Sequence, residues 1–237
     1  MKSLQQIISN ADWISIADQL NESGFAHVPS ILNGRLCDHL VEEYSKASLY
    51  RKTVVMERYR FGKGEYKYFN YPLPEPVQTL RECLYPFLAP IANRWMDILR
   101  IDTRFPDTLK QLKASCNDQE QKLPTPLILR YGKGGFNTMH QDLYGKIFFP
   151  MQAVFVLNDP LTDFEGGELV LLEQIPRAQS KAVVLTPSKG DLVIFTTQFR
   201  PAKGSKGFYR VNMKHGVSEV RSGIRHSLGV IFHDAIS

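Results

Sequence analysis

His140-Gln141-Asp142 places an imidazole and a carboxylate two residues apart. On an extended strand residues i and i+2 face the same way, so these two side chains converge while Gln141 turns away. One more histidine would complete the two-His-one-carboxylate face that holds non-haem Fe(II) and leaves positions open for substrate and dioxygen. The chain has six histidines, so the short pattern alone arises often by chance. The segment Lys214 to Leu228 supplies a distal ligand. It reads as two antiparallel strands joined by a turn at Arg221-Ser222-Gly223, and a three-residue turn sets His215 opposite Gly229. Directly opposed residues share a face, and Arg225 is an even step from Gly229. His215, Arg225 and Ser227 therefore point to one side and His226 to the other. A metal ligand and a guanidinium then share one cavity, in which a dicarboxylate could chelate the metal at one end and pair with Arg225 at the other. The competing use of Arg225 is a surface ion pair with Glu219. As a replacement for His215, His226 has the wrong parity and His233 sits at the far end of its strand. His27 and His39, among apolar residues, read as core or surface histidines.

The elements that must carry these side chains change character along the chain. Asn10 and Asp12 sit at an N-cap position before Trp13, Ile14, Ile16, Ala17 and Leu20, apolar at helical spacing, with Gly24 following. Phe25 to Pro29 is a short strand, and Asn33 can cap a helix through Leu36, Leu40 and Val41. Between Thr53 and Tyr71 six Tyr or Phe residues interleave with Arg, Lys and Glu, which predicts strands or a hairpin around Gly62-Lys63-Gly64. Val77 to Leu99 reads as a long amphipathic helix, and Thr108 to Cys116 as a last helical piece. After Pro126 the period changes. About seven or eight short strands follow, punctuated by Gly and Pro without intervening helices, which points to a sandwich or jelly roll.

The chain has 237 residues, 43% of them hydrophobic and 11% aromatic, enough for a sizeable core. No apolar run approaches the roughly 18 residues of a membrane span, and the N-terminus lacks the apolar stretch of a signal peptide. The three cysteines have no CxxC spacing, which suits reduced thiols and predicts a cytoplasmic location. The net charge is +5, but Arg200 to His226 holds seven basic residues against the single acid Glu219, so that window carries +6 and the remainder −1. A concentrated patch can steer an anionic partner such as nucleic acid, a phosphorylated metabolite or a dicarboxylate; otherwise it is a solvated loop. Arg200 to Gly207 reads as a flexible basic lip over the site. Tyr59-Arg60-Phe61-Gly62-Lys63, with Tyr66, Tyr68 and Tyr71, could stack bases or could cover the core as an amphipathic sheet.

His140-Gln141-Asp142, His215, Arg225 ten residues later and then Ser227 resemble the HxD…H…RxS pattern of the Fe(II)/2-oxoglutarate-dependent oxygenases. The resemblance runs from about residue 125 to 234 and includes Glu165-Gly166-Gly167-Glu168-Leu169 and Gly190 to Phe195, phrases common in that family's double-stranded β-helix. Gly24-Phe25 followed by Val28-Pro29 is similar to its N-terminal strand. It implies that His140, Asp142 and His215 bind Fe(II) and that Arg225 and Ser227 hold the far carboxylate of 2-oxoglutarate. Arg130-Tyr131, Gly134 and His140-Gln141-Asp142 also resemble the RY…G…HQD run of AlkB-type nucleic-acid dealkylases, which implies that Tyr131 hydrogen-bonds 2-oxoglutarate. Two departures are Leu129, where those enzymes carry an Asn that also contacts 2-oxoglutarate, and the shorter spacing from His215 to Arg225. His215 to Ala235 is similar to a bacterial group ending HGVS…RSG.RH.LG.IFHDA that is labelled damaged-DNA oxygenase by analogy with AlkB.

The fold expected from all this is α+β: a jelly-roll core over 125–237 with a mainly helical part over 1–124 packed against it, forming a single domain. The expected activity is an Fe(II)/2-oxoglutarate-dependent dioxygenase that consumes dioxygen, with ascorbate as supporting reductant. Its substrate would be damaged nucleic acid, dealkylated oxidatively and held unpaired through Arg200 to Lys214. The alternatives are hydroxylation of an amino acid, small metabolite or protein side chain, and a non-catalytic metal-binding jelly roll.

Overall fold

The computed structural model describes residues 2–237. The helices are α1 (Leu4–Ser9), α2 (Trp13–Ser23), α3 (Gly34–Glu43), α4 (Glu75–Leu99) and α5 (Leu109–Asp118). Their starts are set by side chains that accept an orphan backbone N–H: Asp12 from Ser15, Asn33 from Leu36 and Thr108 from Gln111. Helix α2 stops at Gly24, whose φ of 77° only glycine takes readily. Helix α4 buries Leu80, Leu84, Leu88 and Trp95 along one stripe, and this stripe is the spine of the largest core cluster. None of the helices is long and apolar enough to cross a membrane.

The same N-terminal part also supplies four strands: β1 (Phe25–Val28), β2 (Tyr50–Val55), β3 (Gly62–Lys63) and β4 (Glu65–Phe69). The segment up to residue 124 thus carries all five helices together with strands that belong to the sheets. The aromatic and β-branched stretch from Tyr50 to Phe69 folds as a hairpin, with Val54 opposite Tyr66, and joins the sheets instead of covering them. Eleven further strands follow: β5 (Leu127–Tyr131), β6 (Phe136–His140), β7 (Met151–Val156), β8 (Phe164–Gly166), β9 (Leu169–Gln174), β10 (Lys181–Leu185), β11 (Leu192–Thr196), β12 (Phe199–Gly204), β13 (Gly207–Val217), β14 (Val220–Gly223) and β15 (Arg225–Ile231). One antiparallel sheet has the order β1-β11-β7-β15-β5-β4-β2; the other has β10-β9-β13-β6-β3, with β12 paired to β13. Together they form a jelly roll.

Strands β7, β11 and β15 are buried along their whole length because both of their faces are covered. Met151, Ala153, Phe155, Ile194, Leu228 and Val230 pack into the helix-side core. The alternate residues Val154, Val193 and Phe195 pack inward against Leu169, Leu171, Val211 and Met213 of the second sheet. Arg81 of α4, fully buried, locks the end of β15. Its guanidinium donates to the Ile231 and Phe232 carbonyls, each at 2.9 Å, and pairs with Asp234 at 2.6 Å.

The expected hairpin between Lys214 and Leu228 is absent. Strand β13 pairs with β6 and β9, whereas β15 pairs with β5 and β7. Between them β14 pairs with β8, and a Cβ built on Gly223 would lie 1.9 Å from the Asp163 carbonyl, so the crossing turn is too tight for a side chain. His215 and Arg225 thus come from opposite sheets and meet across the barrel, not along one hairpin. The basic lip is corrected as well. Residues 199 to 217 form the β12–β13 hairpin, with Gly204 opposite Gly207, and Arg200 is buried against Glu173 at 2.7 Å.

Candidate metal centre and cosubstrate pocket

His215 on β13 lies directly opposite His140 on β6, and their ring centroids are 4.1 Å apart. Asp142, just past the end of β6, closes the triangle: its Oδ2 is 3.2 Å from His215 Nε2, and its Oδ1 is 3.6 Å from His140 Nε2. All three ligand atoms fall within 4.8 Å of one another, a spacing a single ion can span. The Thr138 carbonyl, 2.7 Å from His140 Nδ1, accepts a hydrogen bond from the Nδ1–H and so leaves the Nε2 lone pair to face the centre. Burial, and next the neighbouring His215, push His140 below the usual imidazole range, which favours the neutral, metal-binding form. Burial alone would raise the Asp142 carboxyl, but the two imidazoles and the Tyr144 hydroxyl overcome it and hold the group ionised, well below the usual carboxylate range. A carboxylate oxygen and two imidazole nitrogens are the donor set a divalent iron takes.

Arg225, 1% exposed, lies inside the barrel opposite Tyr131 of β5. It donates to Ser227 Oγ at 3.0 Å and has no carboxylate partner among the described residues, so the surface ion pair with Glu219 is not formed. The Tyr131 hydroxyl is buried and makes no hydrogen bond of good geometry among the described residues, with the Asn137 side chain its nearest polar neighbour. A buried guanidinium without a counter-charge and an orphaned hydroxyl are costly unless a ligand completes them. Both open on the cavity that holds the metal triad, a space of about 220 Å³. These residues therefore fit a carboxylate ligand that reaches from the ion to Arg225. His226 faces the other way, against Tyr44, and His233 accepts the Phe149 N–H, so neither enters the site.

Three polar groups in the pocket, Tyr144, Gln152 and Asn137, escaped the sequence reading. Tyr144 donates to Asp142 Oδ1 at 2.7 Å, and Tyr68 donates to Tyr144 at 3.1 Å. The Gln152 amide is 3.4 Å from His215 Nε2, and Asn137 lines the same cavity near Tyr131. Gln152 was legible in principle, since it is the only polar residue in the otherwise apolar strand β7. Leu129 does line the cavity, as its alignment with a cosubstrate-binding Asn would require, but the amides come instead from Asn137 and Gln152. The proposed base-stacking aromatics divide. Tyr66 and Tyr68 line the cavity, Phe61 lines its mouth while half exposed, Tyr71 bonds Asp234 at 2.9 Å, and Tyr59 is exposed.

Comparison with known proteins agrees with this geometry. The family described as "Oxygenase, catalysing oxidative methylation of damaged DNA" matches residues 64–235. An uncharacterized protein of Mycobacterium tuberculosis is 44% identical over 167 residues, which cover 70% of this chain and 72% of that protein. Among solved structures, a Pseudomonas putida prolyl-4-hydroxylase superposes with a TM-score of 0.58 at 16% identity, covering 94% of this chain and 98% of that one. A Burkholderia pseudomallei oxidoreductase of the 2OG-Fe(II) oxygenase family superposes with a TM-score of 0.56 at 16% identity, covering 95% and 93%. At such identities these likenesses speak to the fold. With the family match spanning 64–235 and His140, Asp142 and His215 inside it, the chain belongs to this oxygenase family.

Proposed function

We propose that the chain oxidatively dealkylates a damaged base in nucleic acid, with His140, Asp142 and His215 as iron ligands and Arg225, Ser227 and Tyr131 holding 2-oxoglutarate. The observation that carries the residue assignments is the coincidence, in one cavity, of a His-Asp-His triangle with an ionised carboxylate, a buried guanidinium without a carboxylate partner and an orphaned hydroxyl. When bound, iron and 2-oxoglutarate supply the oxidising power: dioxygen is reduced as the cosubstrate is decarboxylated to succinate, and one oxygen enters a substrate C–H bond. The chain's own residues do the rest. Arg225 fixes the cosubstrate's far carboxylate by paired N–H donors, and Ser227 orients the guanidinium. Tyr131 donates its hydroxyl proton to the same carboxylate. The walls formed by Met56, Tyr66, Leu127, Leu129 and Val154 exclude water and suit a flat, weakly polar substrate. If the oxidised carbon is an N-methyl group, the hydroxymethyl product breaks down to formaldehyde and the free amine.

The family description supports the nucleic-acid substrate, as does the aromatic lining of the cavity. The chain is read as one domain over 1–237, because β4 pairs with β5 and β1 with β11 across the residue 124 boundary. Free thiols at Cys37, Cys83 and Cys116 support a cytoplasmic setting. The test is succinate release from 2-oxoglutarate with Fe(II) and ascorbate, run without DNA, with plain single-stranded DNA and with N-methylated single-stranded DNA, with Asp142→Ala as the blank. Turnover stimulated only by the methylated strand is expected. Turnover indifferent to both DNAs but abolished by Asp142→Ala would instead favour hydroxylation of a metabolite or protein side chain.

A further inference from the structure

Residues 56 to 63 hold a feature that the chemistry above does not use. Met56 is buried against the cavity wall, and the chain then turns outward through Arg58, Tyr59, Arg60 and Phe61, all exposed. The Tyr59 and Phe61 rings stack with centroids 5.5 Å apart and 21° between their planes, yet remain 55% and 45% exposed. Two large rings paired with each other and left in water form an interaction surface, not part of the core.

The pair is held in place. Phe61 N–H bonds the Met56 carbonyl at 3.1 Å, and Met56 N–H bonds the Gly64 carbonyl at 2.9 Å. The Phe61 carbonyl accepts from both the N–H and the hydroxyl of Thr138, each at 2.9 Å. Gly62 and Lys63 pair with Asn137 and Phe136 on β6, the strand that ends in His140. Phe61 itself lines the cavity, so the stack forms its rim. Arg58, Arg60, Lys63 and Lys133 are exposed around it, opposed locally by the single acid Glu57, and none of the four is in an ion pair among the described residues.

We propose that this rim is a platform for single-stranded DNA: a base next to the target stacks on the Tyr59–Phe61 pair while the four cations take the flanking phosphates. The proposal rests on the nucleic-acid reading above and adds the surface that would deliver the target base. Stacking on a fixed aromatic face tolerates any base, since every base has a π-face, and a preformed stack loses little freedom on binding. An acidic peptide would satisfy the cations but leave the flat aromatic face unused. A duplex keeps its bases stacked on one another, so the strand must be unpaired or the base flipped.

The experiment is fluorescence anisotropy of a short labelled single-stranded DNA, with duplex DNA and single-stranded RNA as competitors. Tyr59→Ala raises Kd roughly 5- to 150-fold, the loss that removing one base–aromatic stack produces, and Tyr59→Trp restores binding. The double variant Arg58→Gln with Arg60→Gln flattens the slope of log K against log salt by about 1.4, two phosphate contacts at roughly 0.7 each. Circular dichroism checks that these surface changes leave the fold intact. Unchanged affinity in Tyr59→Ala overturns the platform, and so does a wild-type protein that binds single-stranded DNA no better than duplex or RNA. Succinate release on the N-methylated strand separates this from the dealkylation reading. Loss of binding in Tyr59→Ala with no methyl-dependent turnover in wild type keeps the platform and removes dealkylation. Methyl-dependent turnover with equal KM in both proteins does the reverse.

Discussion

Tyr144 reaches Asp142 Oδ1 from outside the ligand triangle and is itself backed by Tyr68, so the carboxylate's orientation is set by a chain of two hydroxyls. Outer partners of this kind typically contribute tenfold to a hundredfold in metal affinity. Tyr144→Phe, which keeps the ring and removes only the donor, is expected to weaken Co(II) or anaerobic Fe(II) binding by about that factor in calorimetry; an unchanged affinity would show that Asp142 orients itself. Arg225→Gln is expected to raise the Kd of 2-oxoglutarate by at least about tenfold while leaving metal affinity alone, because only the far carboxylate loses its charge-assisted partner. The six residues named from sequence share one cavity, but the hairpin register that put His215 and Arg225 on one face does not form, and Tyr131 was legible only through the family pattern. Tyr144 and Asn137 were not, since a lone Tyr or Asn near a motif has no spacing rule that separates a pocket wall from an ordinary strand residue. Gln152 could have been read from its isolation in MQAVFV, where an amide with no reason to be buried calls for a polar neighbour.

At the scale of elements, parity proved more reliable than partnership. The inward set Arg225, Ser227 and Gly229 follows from the two-residue period, and all three line the cavity, joined there by Ile231. The partner of β15 was misread, because a turn-like Arg221-Ser222-Gly223 looks the same whether the chain doubles back or crosses to a facing sheet. What decides it is the edge offered by β8 and the carbonyl of Asp163, both distant in sequence. The same limit applies to Arg200, whose buried partner Glu173 lies 27 residues away. The Arg81 clamp on β15 is the clearest case of an element held by a remote charge. Asp234→Asn leaves a buried guanidinium without its counter-charge and is expected to cost about 3–5 kcal/mol in urea unfolding. Arg81→Met combined with Asp234→Leu should cost less than the single change, since it buries no orphan charge; a double variant that is the less stable of the two would show the pair to be net stabilising.

For the whole molecule, two histidines outside the site couple stability to acidity. Burial, then Arg130 and Arg225, hold His226 down to about 4, and burial, then Arg81, hold His233 down to about 3. Both fold neutral, while in the unfolded chain they take up protons near pH 6.5, so their contribution is complete above that pH and is lost as pH falls toward 4 and then 3. The unfolding free energy should therefore decline below about pH 6.5 by up to roughly 1.4 kcal/mol per pH unit for each histidine, and His226→Asn should remove part of that slope in a denaturation series. Composition and period predicted the jelly roll well; they missed that the N-terminal strands complete its sheets, because an amphipathic aromatic stretch reads alike as a cover or as an edge. The central place of β15 has a consequence for biosynthesis. Its neighbours β5 and β7 are made long before residues 225–231, and Arg81 waits 153 residues for Asp234. A nascent chain emerging from the ribosome thus carries two open strand edges and an unpaired arginine until β15 arrives, so the barrel closes only once residues 225–234 have left the ribosome.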